Sequence, residues 1–207
     1  MLQGALLGLA VVTAITSTGT AVNPKAVATA SREVLRGCGN DEVQFMSAPD
    51  DDWTPIAGAG DRHATFRGSL KEPIPASQST VSIYAVGGDL ATTEFSVILT
   101  RDGGGVWSGT AVGQTKIWIE GAKPSLMPRK AWVLSDVKGR RLDEVLTDRC
   151  FYAEPTSFHN KQAPGIGVLF TSVDVETPGH QRHFFYKGGQ VGGLSKELTT
   201  LTFPPAP

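Results

Sequence analysis

The chain has 207 residues, 40% of them hydrophobic and 19% charged, a balance that fits globular domains and excludes disordered, collagen-like and membrane-embedded classes. Its Lys and Arg total 19 against 20 Asp and Glu, for a formal net charge of −1. No run of Lys and Arg is long enough to make a phosphate-binding field, which excludes nucleic acid as a partner.

The amino terminus carries the most specific signal. Residues 5 to 15 are nearly all apolar and no charged side chain appears before Lys25. The run is shorter than the ~20 residues a bilayer span needs, and it dissolves into Thr-Ser-Thr-Gly-Thr, so it reads as the core of a signal peptide. The leader has no Lys or Arg ahead of its apolar core, and an uncleaved anchor is the alternative. Cleavage fits after Ala21 or after Ala30. Asn23 as N-cap, Pro24 at the first helical position and Val27, Ser31, Val34, Leu35 and Cys38 at helical spacing predict a helix that a cut at Ala30 would halve. Residues 1–21 are therefore expected as leader and residues 22–207 as one globular domain.

Cys38 and Cys150 are the only cysteines, and an even pair in an exported chain points to a disulfide. A lipoprotein reading of Leu35-Arg36-Gly37-Cys38 fails, because the Cys follows an Arg and lies far beyond the apolar core.

Downstream, Glu42–Ser47 alternates as a strand, and Ala48 to Asp61 is rich enough in Pro, Gly and Asp for a long loop. Thr65–Leu70 and Val81–Val86 read as strands, separated by a segment whose Pro73 and Pro75 exclude a central strand. Phe95–Thr100, the turn Arg101-Asp-Gly-Gly-Gly and Val106–Val112 form the clearest hairpin. Ile117-Trp-Ile and Ala131–Leu134 are further strands, followed by a helix on Leu142, Val145 and Leu146 with Asp143 and Glu144 near its start. Ile166–Val175, the turn Thr177-Pro-Gly, the strand His183–Tyr186 and a helix on Leu194, Leu198 and Leu201 repeat that order, so a duplicated ββα unit is one hypothesis. The four Trp residues are expected to pack in the core. The fold class expected is α+β, a mainly antiparallel sheet of hairpins with about three short helices packed on it; a β-sandwich with decorating helices is the alternative.

Each motif that suggests chemistry has a plainer reading beside it. Lys187 to Ser195 is a glycine-rich loop between a strand and a helix, and from Gly188 to Ser195 it follows phosphate-loop spacing, but Leu194 stands where the lysine is required. Backbone amides at that helix start remain able to hold a smaller anion. His63, His159, His180 and His183 are the only imidazoles, and His180 and His183, three apart on a strand, point to opposite faces. Ser135 and Lys138 match Ser-x-x-Lys without its helical setting, and Gly139 follows directly. Asp50, Asp51 and Asp52 with Asp61 match no calcium loop and read as a solvated turn. Glu94, Glu120, Glu154 and Glu176 could include a carboxylate pair for glycoside chemistry, which their separation in space decides. No catalytic residue, metal ligand or cofactor is assigned from sequence. The function expected is that of an exported bacterial envelope protein, periplasmic or secreted, monomeric and free of the membrane after cleavage. It would bind a protein, glycan or small ligand without catalysis; a small hydrolase with no linear motif is the alternative.

Overall fold

The computed structural model describes residues 58–158, 167–189 and 191–204, together with Cys38. The expected leader, the first helix with its lipoprotein-like box apart from Cys38, the strand Glu42–Ser47 and the acidic run Asp50–Asp52 lie outside the described residues.

Helix α1 (Ala59–Ser69) opens the described chain. Strands β1 (Thr80–Gly87), β2 (Ala91–Arg101), β3 (Trp107–Ile117) and β4 (Ser125–Val133) then form consecutive antiparallel hairpins. Helices α2 (Asp136–Thr147) and α3 (Arg149–Ala153) carry the chain across one face of the sheet to the short strand β5 (Ser157–Phe158) at its far edge. The hairpin β6 (Leu169–Thr177) and β7 (His180–Lys187) fills the gap beside β1, and α4 (Gly193–Thr202) closes the order. The result is one seven-stranded sheet in the order β4-β3-β2-β1-β6-β7-β5, antiparallel throughout except for the pairing of β5 with β7. The α+β expectation agrees with this arrangement. The alternative sandwich does not, since all described strands join one sheet.

Strand alternation divides the sheet into two unequal faces. Val81, Ile83, Val97, Leu99, Trp107, Val173, Val175, Phe184 and Tyr186 lie in the main core with Leu142, Val145 and Leu146 of α2, Phe151 of α3 and Leu198 of α4. Burying an apolar side chain of this size contributes about 1.5–3 kcal/mol, so this face supplies most of the driving force. Trp107 is anchored as well as buried, because its indole N–H donates to Asp143 Oδ1 at 2.9 Å while Arg101 holds Asp143 Oδ2 at 3.0 Å. Arg141 of α2 pairs with Glu197 of α4, tying the two helices together at the surface. The other face has a smaller cluster of Phe66, Tyr84 and Val112 under α1.

Three sequence expectations need correction. Asp61, read as loop, and Thr65–Ser69, read with Leu70 as a strand, belong to helix α1, and Leu70 is its C-cap. The buried positions Ala59, His63, Phe66 and Arg67 do follow helical spacing, but two of them are polar, so no apolar stripe revealed the helix. The helix expected to begin near Asp143 starts at Asp136 after the N-cap Ser135, and its exposed first turn carries no apolar pattern. Finally, Trp118 and Ile119 do not continue a strand: β3 ends at Ile117, where its ladder partner β2 begins at Ala91.

Candidate functional site

The end of the sheet where β2 starts and β3 stops is built from two adjacent turns. Between β1 and β2 the chain reverses through Gly88, whose φ of +135° and contact with the Ala91 carbonyl leave no room for a Cβ; this tight path projects Leu90 outward. Between β3 and β4 the chain reverses through a turn closed by Ala122 N–H donating to the Ile119 carbonyl at 3.0 Å, with Gly121 at a φ of +77°. Trp118 N–H donates to the Leu90 carbonyl at 3.4 Å and holds the two turns side by side beyond the last ladder pair, Ala91 with Ile117.

This construction leaves apolar side chains in water. Leu90 is 85% exposed, Trp118 75%, Ile119 64% and Ile117 47%. Exposed apolar residues scattered singly need no explanation, whereas an indole and three aliphatic chains gathered at two bonded turns and the strand end beside them form a surface. A recess of about 380 Å³ lies beside them, lined by Thr92, Lys116, Ile117, Trp118, Ile119 and Glu120, so one cation and one carboxylate flank the apolar group. Trp118 thereby departs from the expected core role, while Trp107 is 1% exposed and fulfils it. Sequence reasoning passes over Leu90 and reads Trp118 as a core residue of a strand, although the signals Gly87-Gly-Asp before Leu90 and Gly121-Ala-Lys-Pro after Glu120 place both beside turns.

The structure disperses the residues that sequence had singled out. The glycine-rich loop before α4 does hold an anion, but an internal one. Glu154, 3% exposed, accepts from Leu194 N–H at 2.6 Å, Ser195 N–H at 2.9 Å and the Ser195 hydroxyl at 2.5 Å. Arg182 lies 3.7 Å from the same carboxylate, donates to the Phe151 and Pro155 carbonyls, and stacks 4.2 Å over Phe151. Burial pulls the Arg182 guanidinium down to about 10, against the raising effect of Glu154. The helix-start amides that an external anion would use are thus occupied by the chain itself.

The imidazoles separate likewise. His180 is exposed and lies against Tyr152, with ring centres 5.0 Å apart, whereas His183 pairs with Asp174 on the opposite face of β7. His159 lies outside the described residues. His63, on the buried side of α1, is 2% exposed, with Tyr84 stacked 5.2 Å away. Among the described residues no group of three or more His, Cys, Asp and Glu is placed to hold a metal ion.

His63 Nε2 lies 2.5 Å from Ser96 Oγ, and Arg67 Nη1 donates to the same oxygen at 2.9 Å. Burial first, and then Arg67, lower the His63 pKa to about 4, so the ring is neutral and accepts the Ser96 proton while Ser96 accepts from Arg67. This contact has the chemistry of a nucleophile and base, but Ser96 is 0% exposed and no substrate carbonyl reaches it. Its role is to satisfy buried polar groups under α1. Asp174 and Glu176 border a neighbouring groove of about 400 Å³ that His63 also lines, outside the serine contact.

Ser135 caps α2 by accepting from Lys138 N–H at 3.5 Å. The Ser-x-x-Lys pair therefore does stand on one helical turn, contrary to the sequence reading, and Gly139 continues that helix; both side chains are exposed rather than enclosed in a site. Glu94 accepts from Tyr84 at 2.5 Å and from Gln114 at 3.0 Å. Glu94 faces Val86 and Glu176 faces Thr80 across β1, which puts them about 20 Å apart along the strand. Glu120 stands at the apolar end and Glu154 on the helix side, so these four provide no carboxylate pair across one cleft. Cys38 and Cys150 stand at disulfide distance, with Cα atoms 5.6 Å apart. No described helix is long and apolar enough to cross a membrane. Compared with known proteins, the chain matches no family model, no curated protein and no solved structure.

Proposed function

We propose that this chain is an exported envelope domain that binds its target without catalysis, through the apolar end of the sheet. One observation carries the reading: Leu90, Trp118 and Ile119, with Ile117 beside them at the end of β3, are exposed at two turns locked to each other by a backbone hydrogen bond. Keeping such side chains in water costs free energy that binding recovers, and an exposed indole among aliphatic chains is the kind of anchor on which binding surfaces depend. The apolar leader and the cysteine pair at disulfide distance support an address outside the cytoplasm, periplasmic or secreted. The burial of Ser96 weighs against the hydrolase alternative.

The test compares the chain with a variant carrying Trp118→Ser and Ile119→Ser for retention on an isolated envelope fraction. Retention is expected to fall about tenfold or more, since each buried side chain of this size is worth about an order of magnitude. The urea midpoint is expected to stay unchanged, because neither side chain belongs to the core. Equal retention of both proteins would overturn the reading.

A further inference from the structure

The Leu90–Trp118 end of the sheet has features that narrow the class of target, given that this end is the binding surface. Its apolar side chains stand on two turns and on the last residue of β3 and are 47% to 85% exposed, so they protrude. Their types are an indole and branched or long aliphatic chains, the combination that partitions into the boundary between lipid headgroups and acyl chains. The charges close to them balance: Asp89 and Glu120 against Lys116 and Lys123, all exposed. Such a tip carries no field of one sign with which to steer an acidic or basic protein partner or to collect anionic lipid. Lys116 and Glu120 instead line one recess next to Trp118, with Thr92 beside them. A cation and an anion on one small surface complement a headgroup that itself carries a phosphate and an ammonium.

We propose that this end of the sheet docks onto a phospholipid bilayer, with Leu90, Ile117, Trp118 and Ile119 entering the interfacial layer and with Lys116 and Glu120 facing the two charges of a zwitterionic headgroup. The protein does not span the bilayer in this arrangement; the sheet stands on it by two turns. The expectation of a mature chain free of the membrane rests on removal of the apolar leader; Leu90 and Trp118 are separated along the chain, and only the β2–β3 ladder brings them together.

The experiment uses vesicles of zwitterionic ethanolamine and choline phospholipids, with and without brominated acyl chains, and the full chain as purified, so that leader processing is the same in every sample. Wild-type protein is expected to sediment with the vesicles, and its tryptophan emission to be quenched by the brominated lipid. Ile119→Ser is expected to lower the partition coefficient about tenfold, and the double variant Trp118→Ser with Ile119→Ser further. In a Trp53→Phe background, Trp118→Phe is expected to bind while losing most of the quenching, since the two remaining indoles, Trp107 and Trp132, belong to or pack against the core. Binding is expected to be nearly independent of salt, because a charge-balanced tip has no screened attraction to lose.

Absence of sedimentation, sedimentation unaffected by the double variant, or binding confined to anionic lipid and abolished by salt would each overturn the lipid inference. If vesicles fail while retention on the envelope fraction still depends on Trp118 and Ile119, the inference falls and the reading of this end as a binding surface stands. If retention on the envelope is also indifferent to those residues, both fall.

Discussion

At the residue scale, the most consequential side chains are polar ones placed where sequence reasoning expects apolar ones. His63, Arg67 and Ser96 are each at most 2% exposed, and Arg67 extends the network by donating to the Glu72 carbonyl at 2.7 Å and Thr110 Oγ1 at 3.0 Å. A buried polar network of this kind is stable only while its members keep their protonation states. The folded His63 pKa of about 4 lies below the ordinary imidazole value of 6.5, so the unfolded chain takes up the proton first as pH falls. The stability that His63 contributes is complete above pH 6.5 and declines as pH drops toward 4, by up to about 3 kcal/mol. His63→Gln, which does not titrate, is expected to flatten that part of the pH profile; urea unfolding of both proteins across this window checks it, and parallel profiles would remove His63 as the cause. His63 was visible in the sequence as one of four imidazoles, but its neutrality follows from α1 packing over Tyr84, which no local pattern encodes.

At the scale of elements, α4 shows how a motif can be read correctly in chemistry and wrongly in partner. The glycine-rich approach to this helix was legible as a place where backbone amides gather around an anion. Only the fold decides that the anion is Glu154, 40 residues before Leu194, delivered by the turn that ends α3. Glu154 satisfies the start of α4 and faces Arg182, whose side chain is 4% exposed. Glu154→Ala removes an acceptor for three hydrogen bonds and leaves the buried guanidinium without its carboxylate. It is expected to destabilise the protein by about 3–5 kcal/mol, the range for breaking a buried ion pair from one side. Chemical denaturation measures the loss, and hydrogen exchange is expected to report it first in the opening turn of α4. A loss below about 1 kcal/mol would mean that water serves those amides equally well. Helices α2 and α4 were legible through Leu142, Val145 and Leu146 and through Leu194 and Leu198, whereas α1 was not, because His63 and Arg67 occupy its buried side.

For the whole molecule, the sheet organises two hairpin-helix units, β3-β4-α2 and β6-β7-α4, with both helices on the same face. The order strand, strand, helix therefore occurs twice, although the first strand of the first unit is β3, ending at Ile117, and not the Ile117-Trp-Ile expected from sequence. The hairpins lie at different places in the sheet, β4 at its free edge and β6 between β1 and β7. The covalent tie acts at this scale too. Cys150, in α3, is 112 residues from Cys38, and a link across so long a loop restricts the unfolded chain by about 4–5 kcal/mol in the chain-entropy account. Reduction, or Cys150→Ser, is expected to lower unfolding stability by up to that amount. Denaturation with and without reductant measures the effect, and two thiols open to alkylation in the unreduced, unfolded protein would remove the premise.

The sequence by itself determined the strand-rich pattern of hairpins, the two helices with clear apolar stripes and the cysteine pair, because these depend on periodicity, turn chemistry and composition over short stretches. Only the tertiary structure decided that Glu154 fills the anion site, that His63 and Ser96 are shut away from solvent, and that Leu90 and Trp118 share one exposed end. Those outcomes depend on strand order and register, set by which buried faces fit together across the whole sheet, and no window of neighbouring residues contains that information.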